Sequence, residues 1–379
     1  MSPAETTATV VALEIGADGL SIAWTGAAGS SRYPWLWLRD HGHEAATLHP
    51  VTMQRQLFTA AVPDDVRGTA ARLAEDGQSI SIDWSTGDRS EFPLAFLWRF
   101  REPGPASTPT SSPQIHWDAA SIATQLPQVA YEAVMDGDAG VLRWLEAVEV
   151  YGFCLVDGVP ATPDATAALA RRIAYLRATI FGTFWDFTAD LAKADTAYTN
   201  LELRPHTDGT YALDAPGLQL FHCLHFSGKG GESILVDGFR IADELRRDDP
   251  EAYQTLSTVE VTGQYLGDGA HLMATRPVFR HAHGRLVQVT FNNYDRAPFR
   301  LPDAAMRAFY AAVKAFERLA NDARLQWRHP LRPGEALLFD NWRVLHGRAA
   351  YQGERRLCGA YLNREDFESR LRLLRQVSP

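Results

Sequence analysis

Two potential metal ligands, His206 and Asp208, stand two residues apart in the segment Arg-Pro-His-Thr-Asp. Alternate side chains of an extended segment leave the same face, so this imidazole and this carboxylate can bind one ion. A third ligand, His346, lies in the polar segment 340–348, just after an apolar stretch at 335–339 that we predict to be a strand. Two histidines and one carboxylate on one face of an octahedral ion leave positions open for a co-substrate and O₂, as in non-haem Fe(II) oxygenases.

Arg355 is our candidate for the cation that holds 2-oxoglutarate, because an Fe(II) oxygenase using this co-substrate needs a positive charge for its distal carboxylate. The residue follows His346 by nine positions and enters an apolar strand, where its guanidinium can bind a carboxylate through two parallel hydrogen bonds. Ser233 can add a hydroxyl donor. Arg356 is an alternative candidate. Neighbours in a strand face opposite ways, so only one of the two arginines can bind the co-substrate. A surface salt bridge is the other interpretation of Arg355.

Aromatic residues surround both metal segments. They are Phe181, Trp185, Tyr198 and Tyr361. Aromatic residues usually pack in a core, and that interpretation stays open here. A cage of such rings can instead bind a quaternary ammonium group through cation–π attraction, and Asp195 can add Coulombic attraction to it.

The composition of the 379 residues is that of an ordinary folded protein, with 46% hydrophobic and 22% charged residues. The net charge is −9 and no run of Lys and Arg occurs, so we expect no nucleic-acid partner. Neither a signal peptide nor an apolar stretch of about 20 residues is apparent, so we expect no membrane association. Cys154, Cys223 and Cys358 are far apart in apolar contexts, which favours buried free thiols and a cytoplasmic location.

The pattern of apolar residues predicts two domains. Strand signals dominate residues 1–100, which we assign to a small β-rich domain, and residues 101–115 are a linker rich in Pro, Ser and Thr. We find no internal repeat. In residues 116–379 many predicted strands alternate with a few helices, and the metal ligands stand near strand ends. This mainly β pattern with flanking helices favours a double-stranded β-helix, or jelly roll, although composition alone also fits another α+β sandwich.

Several segments together resemble one known family. They are 37–40, 49–55, 206–208, 217–223, 236–239, 291–293, 340–348 and 369–372. These segments resemble the γ-butyrobetaine hydroxylase branch of the 2-oxoglutarate oxygenases, which also includes trimethyllysine hydroxylase and trimethylaminoethylphosphonate hydroxylase, within the taurine dioxygenase-like superfamily. The resemblance extends over nearly the whole chain.

The resemblance implies roles for the residues singled out above. It implies that iron is bound by His206, Asp208 and His346, and that Arg355 holds 2-oxoglutarate. It places the cation cage at Phe181, Trp185, Tyr198 and Tyr361, with Phe181 replacing a tyrosine.

Some positions depart from the family pattern. Where members with a zinc site carry three cysteines and a histidine, this chain carries Gly42, Glu44, Thr47 and Asp88, so we expect no structural zinc. Asp195 and Gly209 stand where butyrobetaine enzymes carry an asparagine and a tyrosine, which weakens the case for butyrobetaine itself. Another anion, such as a phosphonate, would need donors, and the chain offers Asn292, Asn293 and Arg296, for which turn chemistry is the other interpretation.

We therefore expect a homodimeric Fe(II)/2-oxoglutarate dioxygenase that hydroxylates a C–H bond of a small trimethylammonium zwitterion, of the 2-trimethylaminoethylphosphonate or γ-butyrobetaine type. O₂ is the second co-substrate, and succinate and CO₂ are the co-products. One alternative is a taurine dioxygenase-like enzyme acting on a sulfonate or carboxylate without a quaternary head. A more remote one is a zinc hydrolase or a non-catalytic metal-binding protein, because three ligands plus water also describe catalytic zinc.

Overall fold

The computed structural model describes residues 9–26, 29–103, 112–188, 200–267 and 269–377. It divides into two compact units, Met1–Thr110 and Ser111–Pro379. The division falls within the segment 101–115 that we assigned to a linker. None of the helices in these described ranges is long and apolar enough to cross a membrane.

The first unit contains two three-stranded antiparallel sheets, each followed by a short helix. Its elements are β1 (Val10–Ile15), β2 (Gly19–Trp24), β3 (Ser30–Pro34), α1 (Trp35–Asp40), β4 (Gly68–Leu73), β5 (Ser79–Trp84), β6 (Arg89–Pro93) and α2 (Leu94–Arg99), with a 3-10 turn at Thr59–Ala61. Alternate residues of the middle strands β2 and β5 are buried, as expected for sheets with one covered face.

The two halves of this unit repeat one arrangement, which we did not find in the sequence. The indole of Trp24, at the end of β2, donates to Ser31 Oγ at 3.0 Å, and that of Trp84, at the end of β5, donates to Ser90 Oγ at 2.8 Å. Both helices begin directly after a proline that ends the preceding strand. The pattern Ser-Ile-x-Trp recurs at 21–24 and 81–84, and Ser and Pro recur at matching positions in 31–34 and 90–93, so the sequence carries the duplication that we missed.

Arg39 lies among the four positions that match zinc ligands in the related family. Its guanidinium donates to Glu44 Oε1 at 3.1 Å, to Thr47 Oγ1 at 3.0 Å and to Asp88 Oδ2 at 3.2 Å. Gly42 stands so close that a Cβ atom there would lie 2.5 Å from Glu44 Oε2. A cation of the chain itself thus links these positions, and the expected lack of structural zinc stays a prediction.

The second unit contains the remaining strands and helices. The strands are β7 (Gln128–Ala130), β8 (Phe153–Asp157), β9 (Trp185–Thr188), β10 (Leu203–His206), β11 (Leu218–Gly230), β12 (Ser233–Asp237), β13 (Glu260–Gly267), β14 (Ala270–Pro277), β15 (Phe279–Ala282), β16 (Arg285–Val289), β17 (Gln326–His329), β18 (Ala336–Asp340), β19 (Val344–Arg348) and β20 (Tyr351–Leu362). The helices are α3 (Ala119–Thr124), α4 (Tyr131–Asp136), α5 (Asp138–Tyr151), α6 (Pro163–Arg171), α7 (Gly238–Asp248), α8 (Pro250–Thr258), α9 (Asp303–Ala320) and α10 (Arg364–Val377).

Two sheets of the second unit form a jelly roll. One has the strand order β7-β8-β18-β11-β20-β9, and the other has the order β10-β19-β12-β17. A single apolar cluster joins them, since it contains Leu337 and Leu357 from the larger sheet and Leu235 and Val344 from the smaller one. Helices cover the outer faces, α5, α6 and α10 on the larger sheet and α7 to α9 on the smaller. The expected fold class is confirmed.

The register of the smaller sheet places the candidate ligands. Strand β10 pairs with β19 so that His206 stands opposite His346, and β12 places Leu235 on the other side of His346. The apolar strand that we predicted before the second metal segment is β18, and a three-residue turn connects it to β19. Segments more than a hundred residues apart therefore meet at one point of the sheet.

Candidate iron centre

The three candidate ligands converge. His206 Nε2 lies 3.4 Å from Asp208 Oδ1, and His346 Nε2 lies 3.6 Å from Asp208 Oδ2. The three ligand atoms all lie within 4.8 Å of one another, and within the described ranges no other group of three or more His, Cys, Asp or Glu side chains does so. One ion placed among them can be reached by all three side chains.

The protonation states of His346 and Asp208 suit a metal, whereas His206 would have to release a proton to bind one. Burial lowers the pKa of His346 to about 3, so its ring is the neutral form that coordinates metals. Burial by itself raises the pKa of the Asp208 carboxyl, but the two imidazoles and the Tyr361 hydroxyl outweigh it and hold this pKa well below the usual range. Burial also tends to lower the pKa of His206, and the neighbouring Asp208 outweighs it and raises that pKa.

Neighbouring groups orient two of the ligands, His206 and Asp208. His206 Nδ1 lies 2.7 Å from the Arg204 carbonyl oxygen, which requires a proton on Nδ1 and leaves the Nε2 lone pair directed at Asp208. The Tyr361 hydroxyl donates to Asp208 Oδ2 at 2.7 Å. Asn341, which is 1% exposed, accepts from the Asp208 backbone N–H at 2.8 Å and donates to the Asp208 carbonyl oxygen at 3.0 Å. The donor set and its supports fit a divalent metal of the facial-triad type.

The structure distinguishes Arg355 from Arg356, the two candidates for binding 2-oxoglutarate. Arg356 is exposed and donates to both carboxylate oxygens of Asp186, with Nε 3.0 Å from Oδ1. Arg355 is half-buried and makes no hydrogen bond or ion pair within the described part of the chain; burial and the charge of Arg348 lower its pKa to about 10. A desolvated guanidinium without a partner is costly, so it fits a site for an anion.

Arg348 is a neighbour of this anion site that we did not single out from the sequence. It is 7% exposed, and its Cα stands opposite that of Ser233, which is 5% exposed. The guanidinium carbons of Arg348 and Arg355 lie 5.0 and 5.8 Å from the centre of the Tyr351 ring. The sequence does indicate Arg348 as a candidate, because it lies in the segment 340–348, two residues after His346.

Replacing Arg355 with glutamine is expected to raise the KM for 2-oxoglutarate by about 100-fold, because it removes the charge that a buried carboxylate would pair with. The matched change Arg356→Gln removes an exposed ion pair with Asp186 and is expected to leave this KM within about twofold. Steady-state kinetics with varied 2-oxoglutarate measure both effects. An equal rise in the two variants would remove Arg355 from the co-substrate site.

The structure places two of the predicted cage residues, Trp185 and Tyr361, beside the candidate iron centre and a third, Phe181, against Tyr265. Trp185 is 5% exposed and makes edge contacts with the rings of Phe221 and Tyr361, at centroid distances of 5.3 and 5.9 Å. Phe221 in turn lies 5.7 Å from the His346 ring, so Trp185 and Tyr361 border the candidate iron centre. Phe181 is half-buried, and its ring contacts Tyr265 at 5.6 Å.

The other two members of this group, Asp195 and Tyr198, lie outside the described residues. Tyr361 makes a contact that the sequence did not reveal, because its hydroxyl donates to the candidate metal ligand Asp208.

The predicted anion donors line a small cavity of about 30 Å³ next to the centre. Asn292, Asn293 and Arg296 line it together with Thr210 and Arg276. The amide of Asn292 donates to Asp295 at 2.8 Å, and Arg296 Nη1 is buried without a hydrogen-bond partner in the described part of the chain. The assignment of these residues to the substrate's anionic end stays a prediction.

The comparisons with known proteins agree with this geometry. The family described as taurine catabolism dioxygenase TauD, TfdA family matches residues 112–361. Trimethyllysine dioxygenase of Meyerozyma guilliermondii is 34% identical, over 96% of this chain and 96% of that protein. Mitochondrial trimethyllysine dioxygenase of Homo sapiens is 35% identical, over 90% and 83%. Gamma-butyrobetaine dioxygenase of a Pseudomonas species is 31% identical, over 95% and 94%.

The chain belongs to the TauD/TfdA family of dioxygenases, in the branch that contains the trimethyllysine and γ-butyrobetaine dioxygenases. It is a 2-oxoglutarate-dependent dioxygenase, and its cofactor and co-substrates are Fe(II), 2-oxoglutarate and O₂. The resemblance noted in the sequence is confirmed.

Proposed function

We propose that this enzyme hydroxylates a C–H bond of a small trimethylammonium zwitterion, and that trimethyllysine-type compounds are its preferred class. The iron ligands in this proposal are His206, Asp208 and His346, with Arg355 on 2-oxoglutarate. The observation that carries it is the convergent metal triad, in a chain that is 34% identical to a trimethyllysine dioxygenase along nearly its whole length. The guanidinium of Arg355, which has no hydrogen-bond partner among the described residues, and the buried indole of Trp185 support it.

The chain's own groups place the reactants. When bound, Fe(II) supplies the activation of O₂ that couples decarboxylation of 2-oxoglutarate to hydroxylation. The carbonyl of Arg204 fixes the tautomer of His206, while Asn341 and Tyr361 fix the backbone and the carboxylate of Asp208. Arg355 holds the distal carboxylate of 2-oxoglutarate, and Ser233 donates to it. Mutating residues that support metal ligands in this way commonly lowers metal affinity or activity by about 10- to 100-fold.

The aromatic group is the proposed site for the quaternary head. Such a head has no N–H to donate, so ring faces attract it by about 0.5–1 kcal/mol when exposed and about 2 kcal/mol when desolvated. The contacts of Trp185 and Tyr361 beside the iron centre support this assignment. Phe181, Asp195 and Tyr198 belong to the same proposed cage by the family resemblance.

The substrate's anionic end is assigned to Asn292, Asn293 and Arg296, which line a cavity together with Thr210, two residues after Asp208. In this proposal the cation and the anion of a zwitterion occupy two ends of one site, with the reacting carbon between them. The trimethyllysine dioxygenases cited above are 34% and 35% identical to this chain and the γ-butyrobetaine dioxygenase is 31% identical, which favours trimethyllysine over the phosphonate and butyrobetaine that we first considered.

Succinate release tests the proposal when the enzyme is supplied with Fe(II), 2-oxoglutarate and one candidate substrate at a time. We expect Nε-trimethyllysine to give the highest kcat/KM, γ-butyrobetaine and 2-trimethylaminoethylphosphonate to give lower values, and taurine to give background. Taurine is included because the family is described by taurine catabolism. Release with taurine alone would contradict the proposal and would make the aromatic group part of the core.

We also propose that the protein is a cytoplasmic homodimer. The family resemblance supports dimerisation, and the first unit exposes the apolar side chains of Val51 and Phe58 to 82% and 81%. Three buried free thiols support the cytoplasmic location. Light scattering after gel filtration tests the dimer, and the mass of a single chain would contradict it.

A further inference from the structure

Tyr265 is an aromatic residue of strand β13 that none of the roles above uses. The centroid of its ring lies 5.6 Å from that of Phe181, edge to face at an interplanar angle of 82°, and 5.3 Å from that of Tyr211, tilted by 42°. Phe181 is a cage position by the family resemblance, and Tyr211 follows the candidate ligand Asp208 by three residues. Tyr265 therefore contacts both the proposed cage and the segment that carries the metal ligands.

The backbone of β13 holds this ring beside the metal segment. The Gln264 N–H donates to the Asp295 carbonyl oxygen at 2.8 Å. A Cβ atom at Gly263 would lie 2.6 Å from the Thr210 carbonyl oxygen, so a side chain there would force the two segments apart. Gly263 and Tyr265 are two residues apart on a strand, so the Tyr265 side chain leaves the same face, towards the metal segment.

This face of β13 leaves room for a large ring. Gly263 and Gly267 stand on either side of Tyr265 on it, and neither has a side chain. A Cβ atom at Gly267 would lie 3.2 Å from the Tyr265 hydroxyl oxygen, so the ring lies along the strand. Tyr265 is half-buried, whereas Leu266, which leaves the opposite face, is 73% exposed. The strand therefore directs Tyr265 towards the proposed site and Leu266 towards solvent.

We infer that Tyr265 is a specificity-determining residue whose ring contacts the quaternary head of the substrate and selects it over an uncharged head of the same shape. This inference rests on the proposed function and assigns one more residue to its site. A ring face attracts a cation within about 6 Å of its centroid, and the centroids of Tyr265 and Phe181 are 5.6 Å apart, so one head can contact both rings. An uncharged head fills the same space without this attraction.

A pair of isosteric ligands tests the inference. In 2-amino-7,7-dimethyloctanoate a carbon atom replaces the quaternary nitrogen of Nε-trimethyllysine. The Kd of each compound is measured anaerobically from the absorbance change of the Fe(II)/2-oxoglutarate enzyme, and the wild-type enzyme should bind the cation more tightly. In Tyr265→Leu, which keeps an apolar side chain without a ring, this preference should fall by about 3- to 30-fold. Tyr265→Phe keeps the ring and should keep the preference within about twofold.

Fluorinated phenylalanines at position 265 keep the folded shape and change only the ring's charge distribution. Each added fluorine withdraws electron density from the ring face, which weakens its attraction for a cation. Along the series of one, two and three fluorines the Kd of trimethyllysine should rise stepwise, and that of the neutral isostere should show no trend. This series separates the inferred contact from a loss of packing in Tyr265→Leu.

Tyr175→Leu is the control, because Tyr175 is 68% exposed, and it should keep the wild-type preference. Equal loss of affinity for both compounds in Tyr265→Leu, or a fluorinated series without a trend for trimethyllysine, would overturn the inference and leave the proposed function standing. Failure of the wild-type enzyme to bind or hydroxylate any trimethylammonium compound would overturn both.

Discussion

Replacing Asp208 with asparagine is expected to lower 2-oxoglutarate-dependent oxygen uptake by more than about 10³-fold, the scale seen when a group acting directly on the reacting atoms is lost. The carboxylate lies between the two imidazoles, 3.4 Å from His206 Nε2 and 3.6 Å from His346 Nε2. An amide is neutral and keeps only one good acceptor, so the ion loses its only anionic ligand in the proposed triad. An oxygen electrode with trimethyllysine as substrate measures the loss.

Tyr361→Phe gives a graded comparison with this variant. It keeps the ring beside Trp185 and removes the hydroxyl that donates to Asp208 Oδ2, so we expect a loss of about 10- to 100-fold in Fe(II) affinity. Asp248→Asn, an exposed change of the same kind, should keep wild-type uptake. If Asp208→Asn kept uptake within tenfold of wild type, Asp208 would not be a metal ligand.

Replacing Arg343 with methionine is expected to lower the free energy of unfolding of the second unit by about 3–5 kcal/mol. Arg343 and Asp237 are both fully buried, with Arg343 Nη2 2.7 Å from Asp237 Oδ2. The guanidinium also donates to the carbonyl oxygens of Val150 and Ile115, and Asp237 accepts from the Trp117 N–H at 3.1 Å. The variant leaves the buried carboxylate without its cation. Urea denaturation followed by tryptophan fluorescence measures the change.

Changing both partners separates the ion pair from simple packing. In the double variant Arg343→Met with Asp237→Leu no buried charge remains, and we expect part of the stability to return, so that the two effects are not additive. Arg356→Ala removes the exposed pair with Asp186 and is expected to cost no more than about 1 kcal/mol. A loss for Arg343→Met as small as that for Arg356→Ala would contradict the role given to the buried pair.

The sequence predicted the elements that local patterns control. Alternation and apolar runs indicated β5 and β18, and Thr162 before a proline indicated the start of α6, where its side chain accepts from the Ala165 N–H at 3.2 Å. The helical pattern continues in the sequence towards Arg177, but α6 ends at Arg171. The pair His206 and Asp208 could also be predicted from a local pattern, because a two-residue spacing on an extended segment fixes which side chains share a face.

Tertiary contacts decided what the sequence left open. The choice between Arg355 and Arg356 depends on Asp186, which β9 brings beside β20 from far along the chain. The contact of Phe181 with Tyr265 depends on the hairpin of β13 and β14.

Absorbance spectroscopy under anaerobic conditions is the most direct test of the site, because it reports metal and co-substrate together without turnover. With Fe(II) and 2-oxoglutarate the wild-type enzyme should develop a weak visible charge-transfer band that saturates with 2-oxoglutarate, and His206→Ala should show none. A band of wild-type intensity in His206→Ala, or no band in the wild-type enzyme, would contradict the assignment of His206, Asp208 and His346 as the ligands of one ferrous ion.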